Sequence, residues 1–67
     1  MAVRKVIELL SNSEKSWEDA TAKGVAKAAE SLKNVRSAYV QDMSAIVNDG
    51  KVTEYRVALK VTFEVKD

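Results

Sequence analysis

The chain carries its clearest structural pattern in YRVALKVTFEV, residues 55–65, where apolar side chains occupy every second position. The odd-numbered residues are aromatic or aliphatic, whereas the even-numbered residues are charged, polar or small. Successive side chains of a β-strand point to opposite faces of a sheet, so this alternation predicts a strand whose odd-numbered face is buried. We expect the strand to cover Lys51–Lys66.

Asn48-Asp49-Gly50 lies directly before this strand and separates it from a second strand-forming segment, Val35–Val47. An Asp-Gly pair supplies the positive φ angles of a tight hairpin turn. The two segments are therefore predicted to be antiparallel neighbours. The same three residues also admit a metal-binding loop, although turn chemistry alone accounts for all of them.

The first half of the chain predicts a strand followed by a helix. Ala2–Leu10 is rich in Val, Ile and Leu, and we expect Ser11-Asn12-Ser13 to end that strand. Over Ser16–Lys33, apolar or small residues recur every three or four positions, which predicts a helix with one buried stripe. Ser13 is the expected cap and Asn34 the expected stop. The stripe comprises Trp17, Ala20, Gly24, Ala28, Leu32 and Val35.

The element order β-α-β-β predicts an α+β fold, a three-stranded antiparallel sheet packed on one helix. Its 67 residues are predicted to form a single domain, 1–67. A strand of about 13 residues spans ~44 Å, whereas a helix of about 18 residues spans only ~27 Å. One helix cannot cover such a hairpin, so we expect the uncovered surface to be buried in a homo-oligomer.

The composition excludes several classes of function. The chain has no Cys and no His, which removes disulfides, thiolate metal sites and the usual general base. A net charge of +1 gives no bulk attraction for nucleic acid, and no apolar run approaches the ~18 residues of a membrane span. The remaining polar groups form no recognisable catalytic spacing. We therefore expect a non-enzymatic protein of the cytoplasm.

Several stretches of the chain together resemble the dodecin family. They are Lys5–Leu10 with Ser13–Ala20, Asn34-Val35-Arg36, the Asp-Gly hairpin, and the ending Tyr55–Val65. The resemblance covers nearly the whole chain and implies a βαββ protomer that assembles as a hollow homododecamer. It also implies storage or sequestration of a small ligand or ion at subunit interfaces, without catalysis.

Flavin-type dodecins stack flavin rings on aromatic side chains, and the resemblance places that pocket at three positions. Ser37 stands where the family has its stacking Trp, and Arg56 stands where it has a Gln that meets the polar edge of the ring. Asp42 matches an Asp of those members. Stacking on an aromatic side chain is worth ~1–3 kcal/mol, and Ser37 has no ring to provide it. Arg56 has only donor groups, so it cannot accept the hydrogen bond that a Gln carbonyl accepts. Binding of FMN or riboflavin is therefore the alternative hypothesis.

A second branch of the family lacks the Trp, is described as binding calcium, and resembles this sequence around Val40-Gln41-Asp42-Met43. That resemblance makes calcium the preferred ligand. Calcium takes six to eight oxygen ligands, and we predict Asp42, Asp49 and Glu54 among them, in a site assembled across subunits. A structural shell without specific cargo is the third hypothesis.

Each of these side chains also has a plainer interpretation. Asp42, in mid-strand, either faces a ligand or forms a solvated or intersubunit ion pair. Arg56 and Lys60 either join a salt-bridge network with neighbouring glutamates or mark an anion or cofactor site. Trp17 belongs to the apolar stripe, which indicates a core or interface anchor rather than a stacking plate.

Overall fold

The computed structural model describes residues 3–65 and confirms the β-α-β-β order. The elements are β1 (Val3–Ser13), α1 (Trp17–Ser31), β2 (Val35–Asn48) and β3 (Lys51–Val65). The three strands form one sheet in the order β1-β3-β2, and both pairs of neighbours are antiparallel. The strand with the strongest alternation is therefore the central one, and it is bonded along both edges.

The core lies between α1 and the odd-numbered face of β3, as the two sequence patterns predict. On the helix, Ala20, Gly24 and Ala28 are buried. They face three aliphatic side chains that are almost fully buried, namely Val57, Leu59 and Val61. Small residues on the helix and branched ones on the strand allow the two backbones to approach closely.

Trp17 joins the start of the helix to the hairpin. Its ring makes an edge-to-face contact with Tyr55 of β3, with ring centroids 4.9 Å apart. Its Nε1–H donates a hydrogen bond to the carbonyl oxygen of Ser44 in β2, at 3.0 Å. One side chain thus ties α1 to both strands of the hairpin, and Trp17 packs, partly buried, against the core. This is the core alternative of the predicted core or interface anchor.

The predicted end of β1 at Leu10 is wrong, because Ser11-Asn12-Ser13 continues the strand and pairs with β3. Ladder hydrogen bonds outweigh the weak strand propensity of these polar residues. Ser13 is buried, and its hydroxyl donates to the carboxylate of Asp19 while accepting the Lys15 N–H at 2.9 Å. This hydroxyl, followed by the Lys23 ammonium, lowers the pKa of Asp19.

The helix is shorter than the predicted Ser16–Lys33 and is capped by a different serine. Ser16 is the N-cap in extended conformation, and its Oγ accepts the Asp19 N–H at 3.0 Å. Ser13, the predicted cap, instead holds the turn that precedes the helix. The chain leaves α1 through Leu32, and Asn34 turns it into β2 with a left-handed φ of 63°.

The hairpin turn is tighter than predicted. It contains only Asp49 and Gly50, with φ of 53° and 73°, while Asn48 and Lys51 already pair as strand residues. Positive φ at both turn positions is the pattern of a type I′ turn, which matches the twist of the strands. The predicted strand ends at Ala2 and Lys66 lie outside the described residues.

The length mismatch expected between helix and hairpin is present. The molecule measures 51 Å along its longest axis, whereas the 15 residues of α1 span roughly 22 Å. Within residues 3–65, no helix is both long and apolar enough to cross a membrane. Large apolar side chains stay exposed along the sheet, including Leu10, Met43 and Val47.

Candidate functional site

The three predicted pocket residues share one surface, the face of the sheet turned away from α1, which we call the open face. Because Val57, Leu59 and Val61 face the helix, the even-numbered residues of β3, Arg56 among them, point to the open face. In the register, Ser37 lies opposite Thr62 and Asp42 lies opposite Ala58. Ser37, Asp42 and Arg56 therefore lie on the same side of the sheet.

A β-bulge is the reason that Asp42 reaches this face. The register of β2 against β3 shifts between Val40 and Asp42, with Gln41 as the extra residue. Strict alternation from Tyr39 would have turned Asp42 toward the helix, where a carboxylate would be desolvated. A bulge re-aims the side chains that follow it, so Asp42 is solvent-exposed instead.

The sequence holds a signal for this bulge that simple period-two analysis misses. Apolar residues of β2 occupy the even positions Ala38 and Val40, but then the odd positions Met43 and Ala45. A change of parity inside one strand indicates an inserted residue. The parity change is therefore what places a mid-strand aspartate on the open face.

Arg56 is held by a neutral partner on the neighbouring strand. Its Nε–H donates to Oδ1 of Asn12 at 3.1 Å, and Nδ2 of Asn12 donates to Oε1 of Glu54 at the same distance. The predicted link between Arg56 and a glutamate thus runs through an amide. Asn12 was missed as a site residue because the sequence placed it in a segment that ends β1.

The predicted metal ligands do not converge within one chain. Asp49 lies at the tip of the hairpin, while Glu54 is opposite Ile46, four residues along β3 from the partner of Asp42. Four strand residues separate two side chains by roughly 14 Å. Within residues 3–65 of a single chain, no three carboxylates are close enough to hold one metal ion. Their assignment as calcium ligands stays a prediction.

The open face also carries apolar side chains beside these polar ones. Val6, Leu10 and Tyr39 are 54%, 67% and 65% exposed. Leu10 lies across Ala58 from Asp42, and Tyr39 lies opposite Lys60. Arg36 and Glu64 form the described ion pair nearest to Ser37, with 3.5 Å between Nη2 and Oε1. The face therefore combines several carboxylates and cations with an exposed aromatic ring, a mixture suited to a polar ligand or to another subunit.

Comparisons with known proteins agree with this architecture. The family model described as Dodecin matches residues 3–66. The calcium dodecin of Mycobacterium tuberculosis is 43% identical in an alignment 68 positions long, which covers 98% of this chain and 93% of that protein. A sequence match of this extent covers every strand, the helix and the hairpin turn.

Two solved structures superpose on the whole fold. The crystal structure of that calcium dodecin, described as calcium-chelating with a novel calcium-binding site, has a TM-score of 0.83. The superposition aligns 96% of this chain with 91% of that one at 37% identity. A variant of the Thermus thermophilus dodecin superposes with a TM-score of 0.93 at 28% identity, and both chains are covered completely. From its topology, its sequence and these matches, the chain belongs to the dodecin family.

Proposed function

We propose that this protein is a non-enzymatic binding shell of the cytoplasm that holds calcium where its copies meet. The observation that carries the proposal is the exposed carboxylate of Asp42, which a β-bulge turns onto the open face. The 43% identity to a calcium dodecin supports calcium as the ligand. Twelve copies form the shell, as the family resemblance implies.

The coordination chemistry of calcium favours a site shared between chains. Calcium takes six to eight oxygen ligands, and one carboxylate supplies at most two of them. Asp49 and Glu54 add carboxylates on the same hairpin, but roughly 14 Å or more along the strands separates them from Asp42. Under this proposal, copies related by symmetry bring such groups together, and calcium affinity depends on assembly.

The exposed apolar residues of the sheet supply the driving force for that assembly. Val6, Leu10 and Met43 are each more than half exposed in one chain. Fully burying one such side chain is worth about 1.5–3 kcal/mol. Contacts of a few of these residues in each protomer are enough to stabilise a 67-residue domain that has no disulfide.

Native mass spectrometry and calcium titration of Asp42→Asn test the proposal. The substitution keeps the side-chain size and removes the charge, so calcium affinity should fall by about tenfold or more while the oligomer persists. Glu30→Gln, on the helix and away from the open face, is the matched control and should leave affinity unchanged. The assembled protein should appear at about 89 kDa, twelve times 7.4 kDa. Equal affinities in both variants would remove Asp42 from the site.

Flavin binding is the second candidate, and one observation favours it. Ser37, Asp42 and Arg56, which match the family's flavin pocket, lie on the same side of the sheet. Along β3, the partner of Asp42 is about 7 Å and the partner of Ser37 about 20 Å from Arg56, so Asp42 and Arg56 are the neighbouring pair. Ser37 offers no ring for stacking, whereas the Arg56 guanidinium, oriented by Asn12, can donate to a carbonyl of the ligand. Titration with FMN and riboflavin, beside the calcium titration, shows whether the protein binds flavin or calcium. Failure to bind calcium and flavin alike would favour a structural shell without cargo.

A further inference from the structure

The hairpin turn combines an aspartate and a glycine, both with positive φ, and leaves open space beside Gly50. Asp49 and Gly50 are exposed and have φ of 53° and 73°. A Cβ built on Gly50 would meet no atom within 4 Å. The peptide that joins the two residues is therefore free of packing on the Gly50 side.

We propose that Asp49 is a site of spontaneous isoaspartate formation in the folded protein. The amide nitrogen of Gly50 attacks the side-chain carboxyl carbon of Asp49. A C–N bond forms, the nitrogen loses its proton, and the carboxyl oxygen leaves as water, which gives a five-membered succinimide. Water then adds to either carbonyl of the ring. Opening at the backbone carbonyl leaves a chain that runs through Cβ of residue 49, with a free carboxylate on its Cα.

The turn geometry lies one peptide rotation away from the reactive arrangement. Ring closure requires ψ of Asp49 at about −120°. The first central residue of a type II′ turn has this ψ together with a positive φ. A type I′ turn converts to type II′ by rotating the Asp49–Gly50 peptide, which makes φ of Gly50 negative. Glycine adopts both signs of φ without steric cost, and nothing packs where a Gly50 Cβ would lie. The rotating peptide lies between Asn48 and Lys51, the last pair of the ladder, and types I′ and II′ both connect hairpin strands by two residues.

The other described aspartates lack this freedom. Asp19 is in α1, the Ala20 N–H that follows it donates to the Ser16 carbonyl at 3.1 Å, and its carboxylate binds Ser13 and Lys23. Asp42 is in the sheet, where Met43 follows it and pairs with Val57. Neither peptide can rotate unless a helix or a strand pair opens. These residues serve as controls within the same molecule.

The product would alter the hairpin itself. The extra backbone methylene lengthens a two-residue turn whose geometry matches the strand twist, so the register between Asn48 and Lys51 is no longer maintained by the turn. The charge stays, but the carboxylate moves from Cγ to the backbone carbon. Deamidation of the neighbouring Asn48 would be a competing modification. It raises the mass of the peptide, whereas isoaspartate at residue 49 leaves the final mass unchanged, so the two are distinguished by mass.

A single tryptic peptide tests the proposal, because cleavage after Arg36 and Lys51 releases residues 37–51 with Asp42 and Asp49 together. The assembled protein is incubated at neutral pH and physiological temperature, digested, and analysed by liquid chromatography with electron-transfer fragmentation. Isoaspartate should accumulate at Asp49 several-fold faster than at Asp42, with a succinimide intermediate lighter by one water. Equal or slower accumulation at Asp49 would overturn the proposal.

Two further comparisons separate structure from sequence. In Asp49→Glu the ring would need six members, so the modified peptide should disappear while the charge is kept. The same protein unfolded in urea gives the rate of the free sequence, and the folded rate should lie within several-fold of it. If the folded protein forms no isoaspartate while the unfolded chain does, the turn is protective and the proposal is wrong.

Discussion

Gly24→Ala tests how closely the helix approaches the sheet. Gly24 is buried on the face of α1 that packs on β3. An ideal Cβ at this position would lie 2.7 Å from Cδ1 of Leu59 and 3.1 Å from both Cδ1 of Leu9 and Cβ of Ser11. Ordinary contacts between carbon atoms are ~3.5–4.0 Å, so the added methyl group requires neighbouring atoms to move.

Two opposing terms set the size of the effect. Replacing glycine by alanine within a helix is worth about 0.8–1.0 kcal/mol in helix propensity. Overpacking a core costs about 1–3 kcal/mol. We expect a cost in the upper half of this range, because Leu59 is 1% exposed and the Cβ of Ser11 can move only with its backbone. The difference is a net loss of about 1–2 kcal/mol in the free energy of unfolding.

Equilibrium unfolding in urea measures this loss, with fluorescence of Trp17, the single tryptophan, as the signal. All variants are compared at one protomer concentration because oligomers gain apparent stability with concentration. Ala26→Gly, at an exposed helix position, is the matched control and should lose about 1 kcal/mol by propensity alone. If Gly24→Ala instead gains about 1 kcal/mol, the helix does not pack against Leu59 as closely as described.

Two substitutions and a change of pH test the open face and the helix entry. Ser37→Trp should restore a stacking surface worth ~1–3 kcal/mol, seen as stronger quenching of FMN fluorescence, and the absence of any gain would show that Arg56 or the pocket shape also excludes the ring. Stability should be lost as the pH falls below about 4, because the lowered pKa of Asp19 stabilises the fold only while this carboxylate is ionised. Ser13→Ala, which removes the largest cause of that lowered pKa, should flatten thermal stability against pH over the same range, and an unchanged slope would contradict the assignment.

Local patterns were sufficient for most of the fold. Alternation in β3, the stripe of small residues in α1 and the Asp-Gly turn each act within a single element or turn. Each was confirmed, because each reflects a backbone preference or a burial pattern within one element. The errors fell at element ends, where Ser11–Ser13 has little strand propensity of its own and becomes a strand through its partners on β3.

The sequence predicted which residues belong to the candidate site, but not which side chains surround them on the open face. The resemblance to dodecins indicated Ser37, Asp42 and Arg56, and the register places all three on the open face. The sequence did not indicate Asn12, since its contact with Arg56 joins residues 44 positions apart. Contacts of this kind arise from strand pairing, which no local pattern encodes.

The order of elements, the buried stripe of α1, the hairpin and the lack of His and Cys follow directly from the residues, because they depend on periodicity, turn chemistry and composition. Tertiary pairing added β3 at the centre of the sheet and the extension of β1 to Ser13, and it fixed the register at Gln41, for which the parity change in β2 is only a local sign. Each depends on hydrogen bonds between residues far apart in the chain. Their free energy appears only when the strands meet, so it is a property of the folded sheet rather than of any segment.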